Sequence, residues 1–327
     1  MLQQTTFSAV GPRFRPFLER YPDVRALAAA TEDEVLAAWS GLGYYARARN
    51  LRRAAIEIVE EHGGRIPRDP RVLGALPGFG EYMAAAVASL AHGARLPAIE
   101  ANVERVVARL FAIPGHAGTP GLRRSVGERL EKLLPRKRAG DVTAALMDLG
   151  QLVCTPRRPA CGACPLGEEC RGRAMGDPER FPARRPRPAT VTLSLAAAVA
   201  ECDGRVLLVR RRLSWLDGMW EFPSGEAASP EAARRALARR AAGLGLVLSR
   251  SAAIGRARHA VVNRRIEIAV FRARPSEQVA GTGPTALHPP PISAAASEIG
   301  RWFRPAELEG AAIPTLTRKI AAAALRE

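Results

Sequence analysis

Lysine is nearly missing from this chain. Of its 327 residues only Lys132, Lys137 and Lys319 are lysines, so the formal net charge of +17 is an arginine charge. No lysine side chain precedes residue 132. Long apolar runs are missing too. No stretch of about 18 apolar residues and no signal peptide is recognisable, which excludes a spanning helix and makes a cytoplasmic protein, nucleoid-associated if bacterial, the expectation. Cysteine is sparse: there are five, and four of them crowd into residues 154–170. That is metal-ligand spacing rather than a disulfide framework. What is present fits a folded protein of two domains, with 47% hydrophobic residues and enough length for two cores. The positive excess is the electrostatic footprint of a nucleic-acid binder. Arginine together with abundant alanine also follows from GC-rich coding, so charge alone does not choose.

One stretch organises the rest. Leu76-Pro77-Gly78-Phe79-Gly80 reads as a tight hairpin whose glycines tolerate no Cβ, and the Ala-rich run from Glu81 to His92 reads as the helix it enters. Backbone N–H groups at such a helix start suit a phosphate. Gly93 is the predicted C-cap. A short extended link then carries Glu100 to the mouth of a second helix. Asn102 is its predicted N-cap, and Val103, Val106, Val107, Leu110 and Phe111 keep one apolar face. Taken alone, the same pattern equally describes a helical hairpin with a solvated glutamate.

The N-terminal region is helical in period. Phe14, Phe17 and Leu18 predict one apolar face, and Leu27, Val35, Leu36 and Trp39 another. Met1-Leu2-Gln3-Gln4-Thr5 has no cap ahead of it and reads as the middle of a helix. In Gly41 to Leu51, two glycines deliver Tyr44 and Tyr45 ahead of Arg47 and Arg49. Rings beside arginines suit a wedge in a base stack with cations on phosphates; they equally suit a buried Tyr pair with solvated arginines. Residues 120–152 predict two helices, the second capped by Asp141 with Val142, Ala145, Leu146 and Leu149 inward. They lead into Cys154-x6-Cys161-x2-Cys164-x5-Cys170, four thiolates that suit zinc and a [4Fe–4S] cluster equally well. Arg157, Arg158, Arg171 and Arg173 stud this loop as candidate grips on a DNA backbone. Gly172 to Thr190 is aperiodic and rich in Pro and Arg, the pattern of a linker. Val191 to Ala200 and Arg205 to Arg210 predict strands, Pro230 to Ala242 a helix, residues 275–297 a mobile low-complexity loop, and Trp302 to Leu325 the closing segment.

Leu76 to Phe111 resembles the helix-hairpin-helix glycosylase superfamily, in which the catalytic carboxylate stands where Glu100 is. Met1–Thr5 and Gly41–Leu51 narrow this to a resemblance to the MutY-type adenine DNA glycosylases. The cysteine loop is similar to their cluster loop, and residues 191 onward to their Nudix-like C-terminal domain. The implied fold class is multi-domain, α + α/β. A mostly helical helix-hairpin-helix glycosylase domain covers 1–172, with a [4Fe–4S] loop at 154–170 held by Cys154, Cys161, Cys164 and Cys170. A linker covers 173–190, and a Nudix-like α/β lesion-recognition domain covers 191–327. The resemblance implies a monomeric, monofunctional base-excision glycosylase that removes adenine mispaired with 8-oxoguanine or guanine in duplex DNA. It implies that Glu100 stabilises the sugar cation, Asn102 orients it and Tyr82 lines the sugar pocket. On the DNA it implies Gln3 filling the space of a flipped base, Tyr44 as the wedge, and Arg47, Gly78, Gly80, His259 and Asn263 as further contacts. Bifunctional relatives carry a Schiff-base lysine where Tyr82 stands, so a lyase step through that amine is not available here.

Four positions depart from the family. The resemblance puts the general-acid glutamate two residues ahead of the Met1–Thr5 motif, so the expectation is a start assigned too late or a protein lacking that acid. Glu100 replaces an Asp with a side chain one methylene longer, and a misplacement of about 1 Å costs on the order of 100-fold. Ala144 stands where Gln or Glu faces the adenine. Val261-Val262-Asn263 lacks the Ser of the family's Phe-Ser-His lesion reader and the hydrogen bond it makes. In the Nudix box Gly225, Glu231 and Arg239 match, but Arg240, Gly243 and Leu244 replace metal-binding acids, so nucleotide hydrolysis is not expected while binding is. The alternatives are a catalytically impaired lesion-binding relative and a glycosylase with changed base preference, for thymine or uracil opposite guanine.

Overall fold

The computed structural model describes residues 1–2, 5, 7–186, 189–211, 218–261, 263–276 and 298–325. The chain packs as two compact units, Met1–Ile56 together with Pro188–Glu327, and Glu57–Arg187. This partition differs from the blocks 1–172 and 191–327 read from the sequence, because the first helices share a core with the C-terminal sheet.

In the first unit, α1 (Phe7–Arg20), α2 (Val24–Ala29), α3 (Glu32–Ala38) and the opening turns of α4 (Ala46–His62) make the helical part. Asp23 caps α2, and Thr31 with Glu34 forms a capping box on α3. Met1, Leu2 and Thr5 are not helical, and α1 starts at Phe7. The predicted face Phe14–Phe17–Leu18 is also displaced. The buried stripe of this segment runs through Val10, Phe17 and Tyr21, while Phe14 and Leu18 lie beside it, exposed. Leu27, Val35, Leu36 and Trp39 are buried as expected.

These helices are cored with a mixed sheet of β1 (Val191–Cys202), β2 (Arg205–Arg211), β3 (Trp220–Glu221), β4 (Ser224–Ala227), β5 (Leu246–Leu248), β6 (Gly255–Val261), β7 (Arg264–Pro275) and β8 (Glu298–Phe303). Central β1 runs parallel to β7, from Val191 opposite Arg264 to Ala200 opposite Ala273. A parallel pair is covered on both faces, which explains why Leu195 to Ala200 is apolar without alternation. Leu195, Ala197 and Val199 face the core shared with Val35, Leu36 and Trp39. Ala196 and Ala198 face Leu237 of α11 (Pro230–Gly243). Asp203 and Gly204, at φ 49° and 67°, make the tight hairpin between β1 and β2. The last helix, α12 (Thr315–Ala324), adds Leu316 and Ile320 to the same core. The low-complexity segment predicted over 275–297 lies almost wholly outside the described residues.

The second unit holds the rest of α4, then α5 (Pro70–Ala75), α6 (Glu81–His92), α7 (Ala101–Phe111), α8 (Pro120–Leu133), α9 (Ala139–Leu152) and the short α10 (Arg171–Ala174). Val103, Val106 and Val107 of α7 meet Leu122, Val126 and Leu130 of α8 and Leu146 of α9. The N-cap of α9 is Arg138 rather than Asp141, which sits in the first turn and pairs with Arg138 at 2.5 Å. Its buried side is Ala139, Thr143, Leu146 and Gly150, leaving Ala145 exposed. Two glycines bring α9 close to its neighbours. A Cβ on Gly140 would stand 2.6 Å from the Ser89 carbonyl oxygen of α6, and one on Gly150 2.5 Å from Asn102 Cβ of α7. The stretch expected as a linker is tied down over its first half. Phe181 is buried, and the Ala183 N–H and carbonyl bond to Gly115 and Ala117 at 2.8 and 3.0 Å.

Candidate active site

The hairpin between α5 and α6 is held by the Phe79 N–H on the Leu76 carbonyl at 3.0 Å. Gly78, at φ 78°, adopts the left-handed conformation that favours glycine. Gly80 does not. It is the N-cap of α6 at an ordinary φ of −87°, and a Cβ there would meet nothing within 4 Å. No protein atom stands where a Gly80 Cβ would be, which leaves open space in front of a helix start with no side-chain cap. Gly93 closes α6 in the left-handed cap expected of it. Tyr82 lies in the first turn of α6. Burial, and then the negative charge of Glu100, push its phenol above the ordinary value.

Glu100 is itself the N-cap of α7. Its Oε1 accepts the N–H groups of Asn102 at 2.8 Å and Val103 at 2.9 Å. Asn102 is therefore not the cap that the sequence suggested. It sits two residues inside the helix, where its Oδ1 accepts from Arg105 Nη2 at 2.7 Å and its backbone, rather than its side chain, steadies the carboxylate. The positive end of the α7 dipole favours an ionised group at this point. Both bonds fall on Oε1, and among the described residues no donor reaches Oε2. Ala144, half-buried on α9, offers only a methyl group.

Two turns of α7 connect this carboxylate to the cysteine loop. Arg105 and Arg109 are buried, 9% and 2% exposed, on a helix whose other buried residues, Glu104 apart, are apolar. Arg105 donates to the carbonyls of Cys154 at 2.7 Å and Gly150 at 2.6 Å. Arg109 donates to the Thr155 carbonyl at 2.7 Å, to Cys154 Sγ at 3.3 Å and to the Phe181 carbonyl at 3.0 Å. Sequence reasoning missed both. The available signal was arginine at i and i+4 on a helix that is otherwise buried. Glu104 beside them is also buried and accepts from the Gly118 N–H at 2.7 Å.

Cys154, Cys161, Cys164 and Cys170 form no disulfide and ring one small cavity with Arg109 and Arg173. Burial first, then the charges of the other three cysteines, raise the Cys161 thiol, a direct mark of their proximity. Among the described residues no three His, Cys, Asp or Glu converge as around a single metal ion. The thiols surround a space instead, and four soft ligands spread about a cavity fit a cluster that takes one thiolate at each iron. The loop has no room to spare, since a Cβ on Gly172 would stand 2.8 Å from the Arg109 carbonyl oxygen. Arg173 faces the cavity, whereas Arg157 and Arg158 are exposed.

The remaining site residues lie in the first unit. Tyr44 is half exposed and Tyr45 is buried, its phenol raised first by burial. Arg47 turns inward, donating to the carbonyls of Met1 at 2.9 Å and Gly43 at 3.2 Å. Burial and then Lys319 hold the His259 imidazole below its ordinary value. Asn263, in the turn from β6 to β7, donates Nδ2 to the Ala189 carbonyl at 3.2 Å. Gln3 and Val262 lie outside the described residues. In the Nudix box, a Cβ on Gly225 would stand 2.3 Å from the Leu237 nitrogen, so glycine is required against α11. Arg240, where a metal-binding acid belongs, donates to the Ser224 carbonyl at 2.9 Å and faces the buried Glu221 at 3.7 Å.

Residues 1–135 match the model of the HhH-GPD superfamily of base excision DNA repair proteins, residues 154–170 the iron–sulfur binding domain of endonuclease III, and residues 195–323 the NUDIX domain. Over 185 residues the chain is 45% identical to an adenine DNA glycosylase of Mycolicibacterium smegmatis, covering 57% of this chain and 62% of that one. Over 271 residues it is 33% identical to the adenine DNA glycosylase of Homo sapiens, covering 68% of this chain and 50% of that one. The chain thus spans about half to three-fifths of the length of these curated relatives. A structure of endonuclease III trapped covalently on DNA is 26% identical, with a TM-score of 0.47, covering 54% of this chain and 81% of its own. In the identity and order of its three matched domains, and in its likeness to curated adenine DNA glycosylases, this chain has the make-up of a MutY-type glycosylase.

Proposed function

We propose that the chain is a monofunctional DNA glycosylase of base excision repair that removes adenine mispaired with 8-oxoguanine or guanine. The observation that carries this is the Glu100 carboxylate, fixed by two backbone N–H groups at a helix start, beside Tyr82 and one helix away from a hairpin with an open, uncapped N-terminus. In this reading the N–H groups at Gly80 take a phosphate, and the missing Cβ lets the backbone come close. The adenine is extruded, because its glycosidic bond is inaccessible in the stack. Tyr44 enters the base stack in the complex, and Gln3, His259 and Asn263 contribute on the DNA side. As the purine leaves with a proton drawn from solvent, Oε2 of Glu100 faces the positive charge that develops on the sugar. Water completes the reaction. Tyr82 bounds the sugar pocket as a neutral phenol and offers no amine, so no covalent step follows. When bound, the [4Fe–4S] cluster cross-links the four thiolates and orders the loop; its ligands are Cys154, Cys161, Cys164 and Cys170. We assign 1–172 to glycosylase and cluster loop and 191–327 to lesion recognition.

The test is single-turnover cleavage, after alkali, of duplexes carrying adenine, thymine or uracil opposite guanine, and adenine opposite 8-oxoguanine. Borohydride is added in parallel to trap any Schiff base. Alkali-labile sites at adenine without trapped complex are expected. Cleavage at thymine or uracil instead favours the changed-preference reading. Lesion binding without cleavage favours the impaired relative, and no lesion-selective binding overturns the proposal.

A further inference from the structure

The loop that presents Tyr44 takes positive φ at three of four consecutive positions. Gly41, Gly43 and Tyr44 take φ of 89°, 67° and 47°, and only the first two are glycines. A tyrosine in the left-handed region persists only where its surroundings impose it. One such restraint is at the loop's entry. Arg13 donates Nε to the Ser40 carbonyl at 2.9 Å, and its Nη2 lies 2.5 Å from where a Gly41 Cβ would be. The other is Arg47, one turn further on in α4. Its Cζ lies 5.5 Å from the centre of the Tyr44 ring and 5.4 Å from that of Trp39. Its Nη2 donates to the carbonyls of Leu42 at 3.3 Å and Gly43 at 3.2 Å, and Nη1 to that of Met1 at 2.9 Å. Trp39 closes the ring of contacts, donating Nε1 to the Gly43 carbonyl at 3.3 Å.

We infer that Arg47 is a positioning residue that locks the Gly41–Tyr44 loop and holds the Tyr44 ring outward, rather than a contact to DNA phosphate. The inference rests on the reading of Tyr44 as the wedge. A planar fork that reaches three carbonyls while lying against two rings is within the range of arginine and beyond that of lysine. Its donors are taken up by the protein's own carbonyls, so Arg47 is expected to make no direct phosphate contact and to leave the salt dependence of binding unchanged.

The experiment is a mutant cycle of Arg47→Met, Arg47→Lys and Tyr44→Ala in the full chain. Extrusion is read by fluorescence of 2-aminopurine placed opposite 8-oxoguanine, and binding is measured across a salt series. Iron–sulfur absorbance and the melting transition serve as controls for folding. Both Arg47 variants are expected to lose extrusion by about tenfold when Tyr44 is present, the size of one cation–π contact, and to add nothing to Tyr44→Ala. The slope of log binding constant against log salt is expected to stay unchanged. Rescue by Arg47→Lys, a slope smaller by about 0.9, or losses that add to those of Tyr44→Ala identify a phosphate contact and overturn the inference. If Tyr44→Ala extrudes like the parent, the wedge reading itself fails. The lock is then judged by hydrogen exchange at the Gly43 and Tyr44 amides: faster exchange in Arg47→Met sustains it, and unchanged exchange ends it.

Discussion

Glu100 and Glu221 are both carboxylates set against a helix, one in each compact unit, and the protein treats them in opposite ways. Glu100 is half-buried, takes two backbone N–H groups on one oxygen and keeps the other oxygen clear. Glu221 is buried at 3% exposure, and the guanidinium of Arg240 stands 3.7 Å away. On the proposed function, the first arrangement keeps a negative charge ready for a transient positive partner. The second supplies a permanent positive partner from the chain, in the box where Nudix hydrolases hold a metal ion. A carboxylate beside a helix becomes a reactive group or a structural one according to what neutralises it.

That contrast can be broken from either side. Removing Arg240 has the largest expected effect. Arg240→Ala removes the guanidinium that faces a buried carboxylate and is expected to cost about 3–5 kcal/mol in denaturant unfolding, most of it regained when Glu221→Gln is added. Glu100→Gln keeps the cap oxygen but loses the charge. It is expected to lower single-turnover cleavage by on the order of 100- to 1,000-fold with little change in duplex affinity or melting. A comparable loss of binding would show that Glu100 acts before the chemistry. Gly150→Ala sharpens the comparison from a distance. Its Cβ would overlap Asn102, whose N–H holds Glu100, so a net loss of about 1–2 kcal/mol and a fall in turnover are expected despite the helix propensity of alanine. The smallest effect concerns His259. Its imidazole is held below the ordinary value by burial and then by Lys319, so the folded state prefers it neutral. Its contribution is therefore present above the ordinary imidazole value and fades as pH falls through the lowered one. His259→Gln is expected to flatten the acid limb of stability against pH.

The parts of the site fixed by local spacing could be read in the chain. The cysteine loop, the left-handed cap at Gly93 and the carboxylate ahead of α7 are all short-range features. What escaped depends on distant partners. Asn102 and Asp141 have cap chemistry, but α7 begins two residues before the predicted cap, with Glu100 accepting the Asn102 and Val103 N–H groups, and Arg138 starts α9. Arg105 and Arg109 look like the solvated face of α7 until the cysteine loop closes over them. Gly140 and Gly150 look like weak spots in a helix, and their use appears only once α6 and α7 lie against them. Phe14 and Leu18 show the opposite error: apolar type and spacing do not say which of two adjacent stripes is covered.

The make-up of the first unit bears on how the protein is born. Ser40 Oγ donates to the Ile313 carbonyl, a bond that closes over 273 residues of sequence. Residues 57–187 are continuous and can settle as soon as they leave the ribosome. The helices that lead to Tyr44 are made before residues 57–187, yet they must wait for the sheet that follows those residues before their apolar side is covered. During that interval Val35, Leu36 and Trp39 are open to chaperones and to one another on neighbouring chains. Nascent chains arrested before β7 should therefore show protease resistance in the middle of the sequence and none at its beginning.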